Sequence, residues 1–176
     1  QLFELDKHNP GSLIKQFIVP LLENHDMGLL SEAGVPGVAD PGSDIVQLAH
    51  QNNIKVIPLV GPSSLLLALM ASGLNGQQFA FSGYLPIQSH QRKKAIQSLE
   101  KRSKIENQSQ LFIETPYRNI SLLNDILNTC QSGTLLCVAA DITLDSEFIQ
   151  TKRIKEWKAK LPDIHKKPAI FILLAR

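Results

Sequence analysis

The sequence has few cysteines, few aromatic residues and no long hydrophobic run. Its 176 residues include two cysteines, Cys130 and Cys137, and 6% aromatic residues. Neither the cysteines nor the five scattered histidines have metal-site spacing, and the cysteines are typical of small core residues in a reduced compartment. No apolar run approaches the roughly 18 residues that cross a membrane, and no secretory signal is present. These absences predict a cytoplasmic globular protein that binds no metal.

Positive charge is scarce in one long part of the chain and concentrated in two others. The formal net charge is +2, and Lys55 is the only lysine or arginine from Ser31 to Gly83. Basic residues crowd Arg92 to Lys104 and Lys152 to Lys167 instead. Such a run is usually the solvated face of an amphipathic helix, but an RNA partner would make both runs phosphate contacts.

The segment Ser31 to Gly42, SEAGVPGVADPG, has the composition of a ligand-binding loop. Its glycines permit unusual backbone angles, its prolines restrict them, and its small side chains let a ligand approach the main chain. It contains no lysine or arginine and matches neither common phosphate-loop pattern, so a neutral or cationic ligand fits it better. Asp40, which precedes Pro41, is expected to be a turn or capping residue.

The remaining pattern alternates short apolar runs with helical periods. It predicts helices over Gly11 to Leu22, Ser43 to Asn52 and Leu65 to Ser72, with strands at Met27 to Leu30 and Lys55 to Val60. After the linker Gly73 to Gln78 the alternation resumes. Strands are expected at Phe79 to Phe81, Leu111 to Glu114, Leu135 to Ala140 and Ala169 to Leu174, with a basic helix to about Lys104 and another helix over Tyr117 to Thr129. Alternation of this kind favours α/β lobes with mainly parallel sheets.

We therefore expect two small α/β lobes, residues 1–74 and 75–176. We expect the first lobe to lack its natural amino-terminal part, since the chain opens at Gln1 inside a strand-like segment. Three loops leave the carboxyl ends of predicted strands: Ser31 to Gly42, Gly61 to Ser64, and Thr115 to Arg118. Ligands bind at that edge of open parallel sheets, so these loops are expected to form one pocket, which Gly83 to Ile87 lines from the second lobe.

These segments together resemble the tetrapyrrole methylase superfamily, within it the branch that methylates a ribose 2′-hydroxyl of small-subunit ribosomal RNA. The resemblance is carried by SEAGVPGVADPG, VIPLVGPSS, LMASGLNGQQFAFSGYLP and FIETPYR, about half the chain. It implies two α/β lobes that hold S-adenosylmethionine in the cleft between them, within a homodimer. It also implies ribosomal RNA, or the small ribosomal subunit, as the partner.

The resemblance assigns most of the candidate site residues. Cofactor binding is expected of Glu32, Ala33, Gly34, Val35 and Pro36 in the first loop, Pro62, Ser63 and Ser64 in the second, and Leu85. Glu114, Arg118 and Asp141 are the candidate catalytic residues. A carboxylate of Glu114, Asp141 or Glu32 would accept a proton or orient the acceptor, and Arg118 would hold a phosphate. Tyr84 or Tyr117 would offer a ring face to the sulfonium.

The sequence departs from that branch at two places. The first glycine- and proline-rich cofactor loop is absent, and Asp141 stands in AADITLDSEFI where an Arg-Glu pair is usual. Two alternatives therefore stay open: a methyltransferase acting on a tetrapyrrole-like small molecule, and a non-catalytic relative that binds RNA or protein.

Overall fold

A computed structural model of the chain describes residues 2–5, 14, 16–32 and 34–176. The chain divides into two compact units, a first unit Gln1–Ser63 and a second unit Ser64–Arg176. The sequence analysis placed the lobe boundary at residue 74. Helix α3 (Ser64–Ser72) lies between residue 63, where the first unit ends, and residue 74, and it contacts the sheet of the second unit. The lobe boundary itself stays a prediction.

The described part of the first unit is mostly helix and loop. Helix α1 (Val19–Leu22) is the end of the helix expected from Gly11, much of whose beginning lies outside the described residues. Helix α2 (Ser43–Gln51) begins after Gly42, whose φ of 135° suits only glycine, and it buries Ile45 and Ala49. Its position matches the helix predicted from the apolar period.

The strands expected in the first unit are not formed. Neither Met27 to Leu30 nor Lys55 to Val60 belongs to a β-ladder within the described residues, so these two predictions are wrong. Leu59 and Val60 are almost completely exposed instead. An apolar run can favour strand conformation, but a strand also needs a neighbour for its backbone groups, and sequence pattern does not identify that neighbour.

The second unit contains a five-stranded mixed sheet with helices on both faces, so the predicted α/β class is confirmed. After α3 the elements are β1 (Phe79–Tyr84), α4 (Ser89–Glu106), β2 (Ser109–Ile113), a 3-10 turn Pro116–Arg118, α5 (Asn119–Thr129), β3 (Leu135–Ala140), β4 (Phe148–Arg153), α6 (Ile154–Trp157) and β5 (Ala169–Leu174). All four strands predicted after residue 74 are present. Strand β4 was not predicted.

The strand order is β1-β2-β5-β3-β4, and most neighbours are antiparallel. Only β1 and β2, joined through α4, are parallel; β5 lies antiparallel between β2 and β3, and β4 is antiparallel to β3. The expectation of a mainly parallel sheet is therefore wrong. The cause is β4, which runs antiparallel to β3. Residues 158–168 then return the chain to the edge of the sheet at which β4 began, so β5 also runs in the opposite direction from β3.

Each sheet face is covered by apolar helix residues. One face packs Phe112, Val138 and Phe171 against α4, α5 and α6, with Trp157 donating its indole N–H to the Leu136 carbonyl at 2.9 Å. The other face packs Ile170 and its neighbours against Ala68 and Leu69 of α3. A rigid double-sided core of this kind fixes the loops at the sheet's edges.

Candidate functional site

Strands β1, β2 and β3 run in the same direction, so their carboxyl ends meet at one edge of the sheet of the second unit. The register places Tyr84 beside Ile113, Ile113 beside Ile170, and Ala140 beside Ala169 at the start of β5. We call this the carboxyl edge: Tyr84, Glu114 and Asp141 with the loops that follow them. Even in a mixed sheet it brings together two of the expected loops, Gly83 to Ile87 and Thr115 to Arg118, whereas Ser31 to Gly42 and nearly all of Gly61 to Ser64 belong to the first unit.

Glu114 and Arg118 form an ion pair at the carboxyl edge. Oε1 of Glu114 accepts hydrogen bonds from the Thr115 backbone N–H at 2.7 Å and from Nη2 of Arg118 at 2.8 Å. The 3-10 turn makes this possible, because it folds the chain back so that the Arg118 side chain, four residues after Glu114, reaches the carboxylate. The turn is closed by the Arg118 N–H, which donates to the Thr115 carbonyl. The carboxylate side chain is 1% exposed and the guanidinium side chain 37% exposed, so only the arginine faces solvent.

This environment makes Glu114 a weak proton acceptor. Burial raises the pKa of its carboxyl group, but the hydrogen bonds from Arg118 and from the Thr115 backbone outweigh that effect and leave the pKa below its ordinary value. A general base works best with a pKa near the operating pH. Glu114 is therefore suited to holding and orienting Arg118 rather than to removing a proton.

The same pair contains two enclosed polar atoms without partners among the described residues. Oε2 of Glu114 and Nε of Arg118 make no hydrogen bond there. A buried polar atom left unpaired costs about 1–3 kcal/mol, and such atoms are uncommon in folded proteins. An acceptor and a donor left open at one ion pair are the pattern expected where a hydroxyl or amine group binds after a small local shift.

Asp141 forms a second ion pair at the carboxyl edge. Its Oδ2 accepts a hydrogen bond from the Ser146 hydroxyl at 2.9 Å and lies 3.4 Å from Nζ of Lys167. Strand β5 separates the ends of β2 and β3, and two strand spacings put Glu114 and Asp141 about 10 Å apart. The carboxylates of Glu114 and Asp141 thus lie at one edge of the sheet, and each forms an ion pair with a different basic residue.

Tyr84 and Leu85 complete the edge on the β1 side. Leu85 is buried in the core beneath the loop, whereas the Tyr84 side chain is exposed. The pKa of Arg118 is raised chiefly by its hydrogen bond to Glu114, with a smaller electrostatic contribution from Tyr84. The sequence analysis expected Leu85 to contact a cofactor; its burial leaves the backbone and the Tyr84 ring as the accessible part of this segment.

In the first unit, two of the predicted loops approach each other through backbone atoms. A Cβ on Gly34 would lie 2.7 Å from the Pro62 carbonyl oxygen, and one on Gly61 would lie 2.7 Å from the Gly34 carbonyl oxygen. Gly34 also has a φ of +93°. Only glycine fits these two positions, because the two loops meet there backbone to backbone; we call residues 34–36 and 61–63 the glycine cradle.

The other predicted cofactor residues of these two loops belong to the glycine cradle or lie next to it in the chain. Val35, Pro36 and Ser63 are half-buried, whereas Glu32 and Pro62 are exposed. Ala33 lies outside the described residues. Ser64 is the exposed first residue of α3, in the second unit.

Three site features were missed or only coarsely predicted. Asn119 is fully buried, and its side-chain amide donates to the Lys167 carbonyl at 2.7 Å; nothing in the sequence signals this role. Lys166 and Lys167 fell within a basic run, but only the fold brings them to the carboxyl edge. Arg92 was expected on an RNA-facing helix surface, and this is wrong: it is 2% exposed and its Nε donates to Asp125 at 2.7 Å.

Two negative observations hold for the described residues. In them, no cluster of three or more histidine, cysteine, aspartate or glutamate side chains is arranged to hold a metal ion. None of their helices is long and apolar enough to span a membrane.

The sequence is similar to curated ribosomal RNA small subunit methyltransferases I from several bacteria. The protein of that name from Vibrio cholerae is 33% identical over 175 residues, which is 98% of this chain and 59% of the relative. The one from Halalkalibacterium halodurans is 35% identical over 127 residues, covering 72% of this chain and 43% of the relative. The chain thus spans about six-tenths or less of the length of these relatives.

Two solved methyltransferase structures share the fold of this chain. The methyltransferase CobJ aligns with a TM-score of 0.61 at 15% identity, covering 92% of this chain and 70% of that one. Cobalt precorrin-4 methyltransferase CbiF aligns with a TM-score of 0.61 at 12% identity, covering 99% and 74%. No protein-family model matches the sequence. The resemblance to the ribosomal RNA branch is confirmed by these relatives, and the solved structures confirm the fold of the tetrapyrrole methylases.

Proposed function

We propose that this chain is the major part of an S-adenosylmethionine-dependent methyltransferase that modifies a ribose 2′-hydroxyl in small-subunit ribosomal RNA. The observation that carries the proposal is the similarity along 98% of the chain to a ribosomal RNA small subunit methyltransferase I. The chain spans only 59% of that relative, so the relative's activity is a proposal for this chain.

The residues present fit a cofactor that lies along the main chain. Gly34 and Gly61 hold two peptide segments closer than any side chain would allow, and the predicted site loop has no cationic side chain to repel a sulfonium. Bound S-adenosylmethionine supplies an electrophilic methyl group. The Pro62 and Gly34 carbonyls and the half-buried Val35 and Ser63 would hold its polar groups and its adenosine.

The chain's own task is then to align the acceptor and accommodate its proton. Alignment of a nucleophile with a reactive group accounts for a large part of such a reaction, and ion-paired Arg118 provides a fixed, solvent-facing guanidinium for a phosphate. Glu114 holds that guanidinium in place. Asp141 is a second candidate carboxylate at the carboxyl edge, and we propose that it orients the acceptor hydroxyl.

We propose two further properties on the same resemblance. A homodimer is expected of the full-length protein, as in the family. The proposed substrate, ribosomal RNA, places the enzyme in the cytoplasm.

The proposal is tested by methyl transfer. Purified full-length protein is incubated with tritiated S-adenosylmethionine and either small subunits, large subunits or a tetrapyrrole mixture, and label is counted in each. We expect label in small-subunit RNA alone. Label only in the tetrapyrrole fraction would favour a small-molecule enzyme. Absence of both transfer and calorimetric heat with the cofactor would favour a non-catalytic RNA-binding relative.

A further inference from the structure

A solvent-exposed aromatic side chain lies beside the ion pair of the candidate site. Tyr117 is 74% exposed at the middle of the 3-10 turn, between Pro116 and Arg118. Nζ of Lys166 lies 6.0 Å from the centre of its ring, near the limit for a cation–π contact. We call Tyr117, Arg118 and Lys166 the tyrosine platform.

The platform is held by hydrogen bonds to backbone carbonyls. The Lys166 backbone N–H donates to the Pro116 carbonyl at 3.2 Å. The buried Asn119 amide donates to the carbonyls of Lys167 at 2.7 Å and Ile164 at 3.4 Å. These bonds join the segment before β5 to the 3-10 turn, so Tyr117 and Lys166 keep their relative positions without help from their own side chains.

Lys166 of the platform and two residues that follow β3 have a left-handed backbone. Lys166 has a φ of 60°, Asp141 of 51° and the β-branched Thr143 of 72°. Left-handed backbone is costly for such residues and is most often retained at functional sites.

The chemistry of the platform matches an unpaired nucleotide. Arg118 and Lys166 present positive charge for phosphates, and the exposed Tyr117 ring presents a face on which a base can stack. Bases inside a duplex are already stacked on each other, whereas a splayed single-stranded base is free to stack on an aromatic side chain. An acidic peptide would satisfy the two cations but would leave the ring without a matching group.

We propose that the tyrosine platform binds an unpaired nucleotide adjacent to the methylated one, with its base on Tyr117 and its phosphate on Lys166 and Arg118. This inference rests on the proposed function, because it assumes an RNA acceptor. It assigns Tyr117 to the RNA, whereas the sequence analysis considered its ring for the sulfonium. Tyr117 and Lys166 are thus positioning residues for the substrate.

Two variants test the platform against matched controls. Tyr117→Leu removes the ring and Tyr117→Phe keeps it; Phe79→Leu removes an exposed aromatic at the opposite end of β1. Lys166→Gln is paired with Lys160→Gln, which changes another exposed lysine before β5. Binding of a fluorescent single-stranded RNA and of its duplex form is measured by anisotropy over a range of salt. KM and kcat for small subunits and calorimetric cofactor binding are measured in parallel.

We expect Tyr117→Leu to weaken single-stranded RNA binding and raise KM by about 10-fold or more, the usual effect of losing one stacked base. Tyr117→Phe and Phe79→Leu should bind like the unmodified protein, and cofactor binding should be unchanged throughout. Lys166→Gln should reduce the slope of log K against log salt by about 0.7, one phosphate contact, and Lys160→Gln should not.

Three results would overturn the inference while leaving the proposed function intact. They are RNA methylation with an unchanged KM in Tyr117→Leu, equal binding of duplex and single strand, or equal effects of Lys166→Gln and Lys160→Gln. If the unmodified protein transfers no methyl group to RNA but binds the single strand through Tyr117, the proposed function fails, and the assignment of the platform to a nucleotide beside the methylated one fails with it. Tighter binding of an acidic peptide than of the single-stranded RNA would also overturn it.

Discussion

The two units of this chain use different means to position their site residues. In the second unit, Glu114, Asp141 and Tyr84 follow strands of a sheet with an apolar core on both faces. In the described part of the first unit, few large apolar side chains are buried, and the glycine cradle depends on contacts between backbone atoms. One unit fixes its side chains through a core, and the other forms its candidate site through residues that have no side chain.

The largest difference is expected in hydrogen exchange. Amides of β2, β3 and β5 should exchange only on global unfolding, whereas those of residues 55–60 should exchange at least a thousand-fold faster, since no ladder protects them in the described structure. Native-state exchange read by mass spectrometry measures both sets together. Equal protection would mean that residues 55–60 are paired in solution.

Core truncation should destabilise the second unit strongly. Phe112 is fully buried and stacks on Phe171, with ring centres 6.0 Å apart. Phe112→Ala should lower the free energy of unfolding by about 3–5 kcal/mol. Ile57→Ala, which changes an exposed side chain of the first unit, should change it by less than about 0.5 kcal/mol. Urea unfolding followed by circular dichroism reports both units, and the fluorescence of Trp157, the single tryptophan, reports the second unit; a small effect of Phe112→Ala would refute the core described here.

The glycine cradle should respond in the opposite way, through binding rather than stability. Gly61→Ala puts a methyl group against the Gly34 carbonyl and should weaken S-adenosylmethionine binding about 10-fold, because backbone strain of 1–3 kcal/mol falls on the site. Gly28→Ala is the matched control, since nothing lies within 4 Å of its Cβ position. Calorimetry measures both affinities, and Trp157 fluorescence checks that the second unit is unchanged. Equal affinities would separate the cradle from the cofactor.

The ion pair of Glu114 should give a smaller, pH-dependent effect. The pKa of this carboxyl group is lowered in the folded state from its ordinary 4.5. Its stabilising contribution is therefore fully present above that value and is lost as the pH falls through the lower folded pKa. Glu114→Gln should flatten the dependence of unfolding free energy on pH below about 4.5, whereas the exposed Glu106→Gln should leave it unchanged. Parallel pH profiles for all three proteins would contradict this account of the pair.

Many of the helices and strands could be predicted from the sequence, but the pairing and direction of the strands could not. Helix α2 and every strand predicted after residue 74 followed from apolar periodicity, which reports burial along a single element. The direction of β5 did not follow, because it depends on β4, whose residues FIQTKR are half-buried or exposed and give little apolar signal. The strands expected at Met27 to Leu30 and Lys55 to Val60 failed for a related reason: pairing is a property of two segments.

The candidate site also has residues that the local sequence marks and contacts that only the fold creates. Gly34, Glu114 and Arg118 were identifiable, because loop composition and a family motif mark them. The approach of Gly34 to Pro62 joins residues 28 positions apart, and the hydrogen bonds of Asn119 to the Ile164 and Lys167 carbonyls join residues 45 and 48 positions apart; no local pattern records them. Arg92 shows the converse: a basic run does not reveal which member turns inward to Asp125.

The most direct test of the proposed activity is the position of the transferred methyl group. Small-subunit RNA labelled by the full-length protein is hydrolysed in alkali, which cleaves only beside a free 2′-hydroxyl. Ribose methylation predicts that the label is recovered in an alkali-resistant dinucleotide. Recovery in a mononucleotide would place the methyl group on a base and contradict the proposed acceptor.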